Sequence, residues 1–396
     1  MKNVAWAGLA SAALALSGLA VGVPSATAMP DSPPAAGGSH APLPTVRACP
    51  ARPAPGYATC LAIAVAGADG SALKSDTPLP AGFTPDDVQA AYNLEGLKSS
   101  GRTVAIVDAY GYSGLESDLS SYRKEYDLPA CTTDNGCLTI LDQHGGHNYP
   151  PDNGGWDLEQ ALDVDAVSAT CPDCKILVVQ AKSASVHNLG IAVNQAARQK
   201  GVVAISNSYI GHDRTNVSAY NHPGIAVTAA SGDSGSQGGQ YPAEDSHVVA
   251  VGGTSVTKDG SKRGYSEAAW SGAGSGCASE TNQPRWQANI DTGCKTRAVS
   301  DVSAAANPGL GGLIIYYNGR FQQVGGTSEA SPIIAAVFAL SGDTDGYPAR
   351  YLYQRARELY DVTSGTNGSC GPPICEAGKH WDGPTGIGTP NGIKGF

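Results

Sequence analysis

Charged side chains are scarce in this sequence. Asp, Glu, Lys and Arg make up 15% of its 396 residues, against roughly 25% in an average soluble protein. What charge there is leans acidic, a formal −10, and no basic run interrupts it; that balance excludes nucleic acid as a partner. Beyond the opening segment no stretch approaches the roughly 18 uninterrupted apolar residues of a spanning helix, which excludes a helical membrane domain. A Cys-x-x-Cys spacing occurs once, at Cys171 and Cys174. Without a second such pair or two nearby histidines it argues against a zinc site. Glycine, by contrast, is abundant at 51 residues. Low charge with many glycines points to a compact, turn-rich chain, long enough for one large domain or two small ones.

The opening residues have the pattern of an export signal. Lys2 precedes a long apolar stretch, and the small residues of "SATAMP" suit cleavage after Ala28. The ten cysteines fit an exported, oxidised protein because they fall as close neighbours. The simplest pairing is Cys49 with Cys60, Cys131 with Cys137, Cys171 with Cys174, Cys277 with Cys294 and Cys370 with Cys375. Residues 29–80 are rich in Pro, Ala, Gly and Ser and read as a leader or short prosegment. A catalytic-size domain is expected over 81–396, opened by a helix in "TPDDVQAAYNL" with Thr84 as its cap. The expectation is therefore a secreted, extracellular protein, monomeric, with no membrane contact once the signal is removed.

Within 81–396, "TVAIVDAY", "KILVVQA", "VVAISNSY", "IAVTAAS" and "VVAVGG" read as strands buried on both faces. Helical spacing appears between them in "LEQALDVDAVSA" and in "SVHNLGIAVNQAARQKG", the latter stopped by Gly201. The rhythm implies an α/β fold, a mostly parallel central sheet with helices on both faces. Such sheets carry their sites at the carboxyl ends of the strands.

Three segments carry candidate chemistry. In "GGTSEASPIIAAVFAL", Ser328 precedes a helix apolar on every face, and such a helix is buried. Its hydroxyl sits either in the positive field of the helix terminus or simply as the helix cap. Glu159 and Asp163 are four residues apart on one helical face. There two carboxylates repel unless they share a proton, which tunes one of them as a base; the plainer alternative is solvated acids near a helix start. In "TAASGDSGSQGG", Asp233 ends an apolar strand among glycines that let backbone approach a ligand. The "GDSG" there also invites a chymotrypsin-like reading with Ser234 as nucleophile, but the alternation of strands and helices opposes a double β-barrel.

Taken in order, these three motifs resemble the sedolisins, or serine-carboxyl peptidases, which have a subtilisin-like fold; the resemblance covers Thr84 to Phe396. "EQALD" is similar to the family's Glu-x-x-x-Asp helix, "SGDSG" to its oxyanion segment and "GGTSEASP" to its nucleophile segment. The resemblance implies a serine-type endopeptidase acting on proteins or peptides. In it Ser328 attacks, Glu159 is the general base and acid, Asp163 orients Glu159, and a protonated Asp233 stabilises the oxyanion. An optimum well below pH 7 follows from that last role. "YDVTSG" with "EAGKHWDGPTGIGTP" is similar to the family's calcium site, which implies one structural Ca2+ held by Asp361 and Asp382 and by the carbonyls of Val362, Gly378 and His380. The alternative for those aspartates is turn residues satisfying their own backbone.

The chain departs from the family's pattern in its short prosegment and in Glu329 directly after the nucleophile. Asp108 stands where ordinary subtilisins carry their aspartate, so an Asp108, His144 or His147, and Ser328 set is the competing enzyme reading; outside that set Asp108 is either an extra carboxylate in the site or a strand-end residue. It is opposed by Tyr149, Pro150 and Pro151, which stop a helix after those histidines. A secreted binding scaffold without turnover is the third.

Overall fold

The computed structural model describes residues 43–79, 81–211 and 217–396; the expected signal at 1–28 and the first part of the leader lie outside them. Four short strands come first, β1 (Thr45–Arg47), β2 (Ala58–Cys60), β3 (Ile63–Val65) and β4 (Lys74–Ser75). Helix α1 (Pro85–Ala91) then starts on a capping box: Thr84 accepts from the Asp87 amide while the Asp87 carboxylate accepts from the Thr84 amide. The alternating region follows as β5 (Thr103–Ala109), α2 (Leu115–Glu125), β6 (Leu138–Asp142), α3 (Gly154–Thr170), β7 (Lys175–Ala181), α4 (Val186–Ala197), β8 (Val202–Asn207), β9 (Tyr209–Gly211), β10 (Ala226–Ala230) and β11 (Val249–Lys258). After it come β12 (Tyr265–Ala269), β13 (Gly276–Asn282), β14 (Thr296–Val299), β15 (Val302–Ala305), β16 (Leu313–Tyr317), β17 (Arg320–Gly325) and α5 (Thr327–Ser341).

The central sheet runs β12-β11-β10-β8-β5-β7-β6, with β15 also on β11. It is parallel except where β12 meets β11. Successive strand residues face opposite sides, and both sides are covered. Val104, Ile106, Ile176 and Val178 pack with the apolar residues of α3 and α5. Ala105, Val107, Leu177 and Val179 pack with those of α4. This is why these strands read as continuous apolar runs rather than alternating ones. The fold is α/β, a mostly parallel central sheet with helices on both faces, as expected.

A smaller antiparallel sheet, β1-β3-β17-β16 with β4 on β17, adjoins α5. Its β16–β17 hairpin turns on Asn318 and Gly319, both with positive φ, the backbone that a two-residue hairpin turn requires. Residues 45–75, which composition assigns to a leader, thus supply four strands packed into the same body. All five expected disulfides are formed, so Cys171 and Cys174 are a bridge. No helix among the described residues is long and apolar enough to cross a membrane.

Candidate active site

Helices α3 and α5 pack against each other and against β5, and α5 also packs against β8 and β10. Ser328 is the second residue of α5, and the cap position belongs to Gly326, which makes no side-chain cap bond. The capping alternative for Ser328 therefore does not hold. The Ser328 hydroxyl donates to the Ser208 carbonyl at 3.3 Å. It also lies close enough to Glu159 to favour that group's ionised form. Gly326 has φ 111°, and a Cβ there would stand 2.7 Å from Asp233 Oδ2 and 2.4 Å from the Leu61 carbonyl oxygen. Glycine is required at this step by both backbone and space.

Glu159 and Asp163 are fully buried. Oε2 of Glu159 accepts the amides of Leu61 and Ala62, each at 2.7 Å. Oδ1 of Asp163 accepts the Ser208 hydroxyl at 2.9 Å. Asp108, at the end of β5, is buried beside them and neither of its oxygens is hydrogen-bonded. Burial pushes Glu159 well above the usual carboxylate range; the Asp108 charge adds to the rise, and Ser328 with the two amides opposes it. Burial, then Asp108, then Glu159 raise Asp163 in the same way. Burial alone raises Asp108, to about 8. Three carboxyls are buried together, and among the described residues no ion pair reaches them. They must hold protons between them at neutral pH.

Asp233 follows β10. Its Oδ1 accepts the Thr327 amide and hydroxyl, both at 2.8 Å, while Oδ2 has no partner. Burial raises it to about 6 against the pull of those two bonds and of the Arg47 charge. The free oxygen is thus the one that can carry a proton, and it faces the Gly326 step. Beside it a cavity of about 180 Å³ is lined by Arg52, Pro53, Ile210, Gly232, Asp233 and Gln240 among others.

These distances can be set against known proteins. No family model matches the sequence. Kumamolisin of Bacillus sp. (strain MN-32) is 30% identical over 365 residues, 81% of this chain and 64% of that protein. Sedolisin of Pseudomonas sp. (strain 101) is 27% identical over 358 residues, 78% of this chain and 60% of that protein. In three dimensions the chain is similar to Pseudomonas sedolisin, a serine-carboxyl proteinase solved with two molecules of pseudo-iodotyrostatin. The TM-score is 0.68, with 25% identity, over 80% of this chain and 96% of that one. In sequence and in three dimensions the chain is similar to members of the sedolisin family. It spans about three fifths of the length of these curated relatives. A psychrophilic S41 protease, 19% identical with a TM-score of 0.52, shares the fold.

The departures from the sedolisin pattern have distinct locations. Glu329 is buried and its carboxyl is raised by burial, but its charge acts on Tyr92 and Tyr122. It is not among the groups that raise Glu159 or Asp163. His147 pairs with Tyr149 and His144 with Gln143, and neither is bonded to Asp108, whose two oxygens have no hydrogen-bond partner. Ser234 is exposed, one residue past Asp233. Ser208 and Thr327, which orient Asp163 and Asp233, were not singled out from the sequence; Ser208 had a signal in its position just after the apolar run of β8.

At the C-terminal loop, Asp382 is buried and accepts the Gly378 amide at 3.1 Å and the Thr385 amide and hydroxyl, both at 2.9 Å. Asp361 accepts the His380 amide at 3.1 Å. Burial raises Asp382 to about 7, and the Asp361 charge contributes to that rise. Among the described residues no group of three or more His, Cys, Asp or Glu stands together at metal-binding range. The donor set is two neighbouring carboxylates on a turn-rich loop, a set whose chemistry fits a hard cation that also takes main-chain oxygens.

Proposed function

We propose that this chain is a secreted serine-type endopeptidase of the serine-carboxyl kind, acting on protein or peptide substrates as a monomer in acidic surroundings. The observation that carries the reading is Ser328 at the start of buried α5, facing Glu159 of α3 and backed by Asp163. Ser328 attacks the substrate carbonyl, and its proton passes to Glu159 and then to the leaving amine. Asp163, held by Ser208, keeps Glu159 oriented and basic, the part a third member plays in a Ser-His-Asp set. Asp233 donates its proton in a hydrogen bond to the developing oxyanion. Support for acid chemistry comes from Asp233 at about 6: above that pH the donor becomes a charge that repels the oxyanion.

Asp361 and Asp382, with the carbonyls of Val362, Gly378 and His380, would hold one calcium ion. The ion supplies charge that offsets the two carboxylates and braces the loop. The test of the main reading is cleavage of denatured protein from pH 2.5 to 9 with Ser328→Ala alongside. An acidic optimum lost in the variant is expected. A sharp optimum near pH 8 would sink the carboxylate mechanism, and no Ser328-dependent cleavage would favour a binding scaffold.

A further inference from the structure

Within the peptidase reading above, on which this depends, we infer that Ser208 is a positioning residue for the nucleophile: its single hydroxyl hydrogen carries the protonation state of Asp163 to the main chain of Ser328. Ser208 sits between β8 and β9 and is fully buried. Its Oγ lies 2.9 Å from Asp163 Oδ1 and 3.3 Å from the Ser328 carbonyl oxygen. In return the Ser328 hydroxyl donates to the Ser208 carbonyl at 3.3 Å. The two serines are clasped side chain to main chain in both directions, and Asp163 holds one arm of the clasp.

The clasp depends on the composition of α5. In an α-helix the carbonyl of residue 328 accepts from the amide of residue 332, and residue 332 is proline, which has no N–H. The Ser328 carbonyl is therefore left over in the first turn of a buried helix, where a carbonyl without a donor is costly. Ser208 Oγ is the donor that reaches it. One turn along, Ser331 Oγ lies 2.9 Å from Ser206 Oγ and 2.9 Å from Thr228 Oγ1, which ties α5 to β8 and β10 independently of Ser208.

A hydroxyl has one hydrogen to give and accepts through its lone pairs. While Asp163 keeps a proton on Oδ1 it donates to Ser208, and the Ser208 hydrogen goes to the Ser328 carbonyl. When Asp163 ionises, Oδ1 takes the Ser208 hydrogen in a stronger, charge-assisted bond, and the Ser328 carbonyl loses its donor. Oδ2 of Asp163 has no partner, so Ser208 carries the hydrogen-bonded link from this carboxyl. The proton belongs on Asp163 rather than Glu159, because two main-chain amides favour the charged form of Glu159 whereas Asp163 accepts one hydroxyl. The charges that act on Asp163 are Asp108 of β5 and Glu159 of its own helix. Glu329 of α5 acts on Tyr92 and Tyr122, and Arg123 of α2 on Tyr122 and Asp165. The nucleophile's main chain is thus held in the form of the site that has Glu159 ready as base and Asp163 protonated.

The test uses the full chain as wild type, Ser208→Ala, Ser208→Thr, Pro332→Ala and the Ser208→Ala/Pro332→Ala double variant. On a peptide substrate at acidic pH, Ser208→Ala is expected to lower kcat about tenfold and to leave KM within about twofold. Ser208→Thr keeps a hydroxyl and recovers kcat. Pro332→Ala gives the Ser328 carbonyl a helical donor, so Ser208→Ala costs less in that background, a non-additive cycle. A readout independent of turnover is the infrared band of protonated carboxyls, in which Asp163 is identified by the component lost in Asp163→Asn. In Ser208→Ala that component shifts and titrates at higher pH, because the bond removed is one that favours the charged carboxylate. Equal kcat losses with and without Pro332, or an Asp163 band that Ser208→Ala leaves in place, overturn the inference and leave the peptidase reading standing. No Ser328-dependent cleavage in wild type overturns that reading, and the link from Asp163 to Ser208 then stands or falls on the band alone.

Discussion

A carboxylic acid can donate a hydrogen bond only while it keeps its proton, and burial lets Asp233 keep its own up to about pH 6. The role is separable by substitution. Asp233→Ala removes the donor and is expected to lower kcat about 10²–10³-fold. Asp233→Asn leaves an amide that donates at every pH, so the fall in activity on the alkaline side should move upward. Steady-state kcat against pH for both variants decides it; a wild-type kcat in Asp233→Ala would remove Asp233 from the chemistry. At this scale the sequence was informative about types and spacing, because Glu159 and Asp163 on one helical face and Asp233 at a strand end follow from periodicity. It left Asp108 open between an extra carboxylate in the site and a plain strand-end residue, since the choice depends on how closely β5 approaches α3.

The step into α5 shows why some elements were legible and others were not. The apolar helix after Ser328 and the runs of β5, β7, β8, β10 and β11 announce themselves because each is buried on every face. Strands β1 to β3 have three residues each, too few for a period, and lie among prolines and glycines. Their partners β9 and β17 are remote in the chain, so composition reads them only as a leader. What fixes their place is local at Gly326, where backbone at φ 111° leaves just enough room for the Leu61 carbonyl. Gly326→Ala should therefore destabilise the chain by about 1–3 kcal/mol through backbone strain, with the carbonyl contact adding to it. Urea unfolding at acidic pH measures this; an unchanged midpoint would show that the segment does not lie over α5.

For the molecule as a whole, the buried acids make stability depend on pH in the direction opposite to ordinary acid denaturation. Asp108 at about 8 and Asp233 at about 6 both stand above the roughly 3.9 of an unfolded aspartate. Between those limits the folded chain binds more protons than the unfolded one, so unfolding free energy falls as pH rises. Their contribution is fully present below about pH 4, and it is lost as pH climbs through 6 for Asp233 and 8 for Asp108. Glu159 and Asp163, raised by the same burial and by Asp108, act in the same sense. Thermal melts from pH 3 to 8 should therefore show the highest Tm on the acid side. Asp108→Asn cannot ionise, and it also relieves Glu159 and Asp163 of a neighbouring charge, so its Tm should fall less steeply between pH 4 and 8. A variant curve parallel to wild type would mean that Asp108 is not the charge that the folded state must exclude. Acid stability and acid activity share a cause: the protons that a cluster of carboxyls needs in order to stay buried.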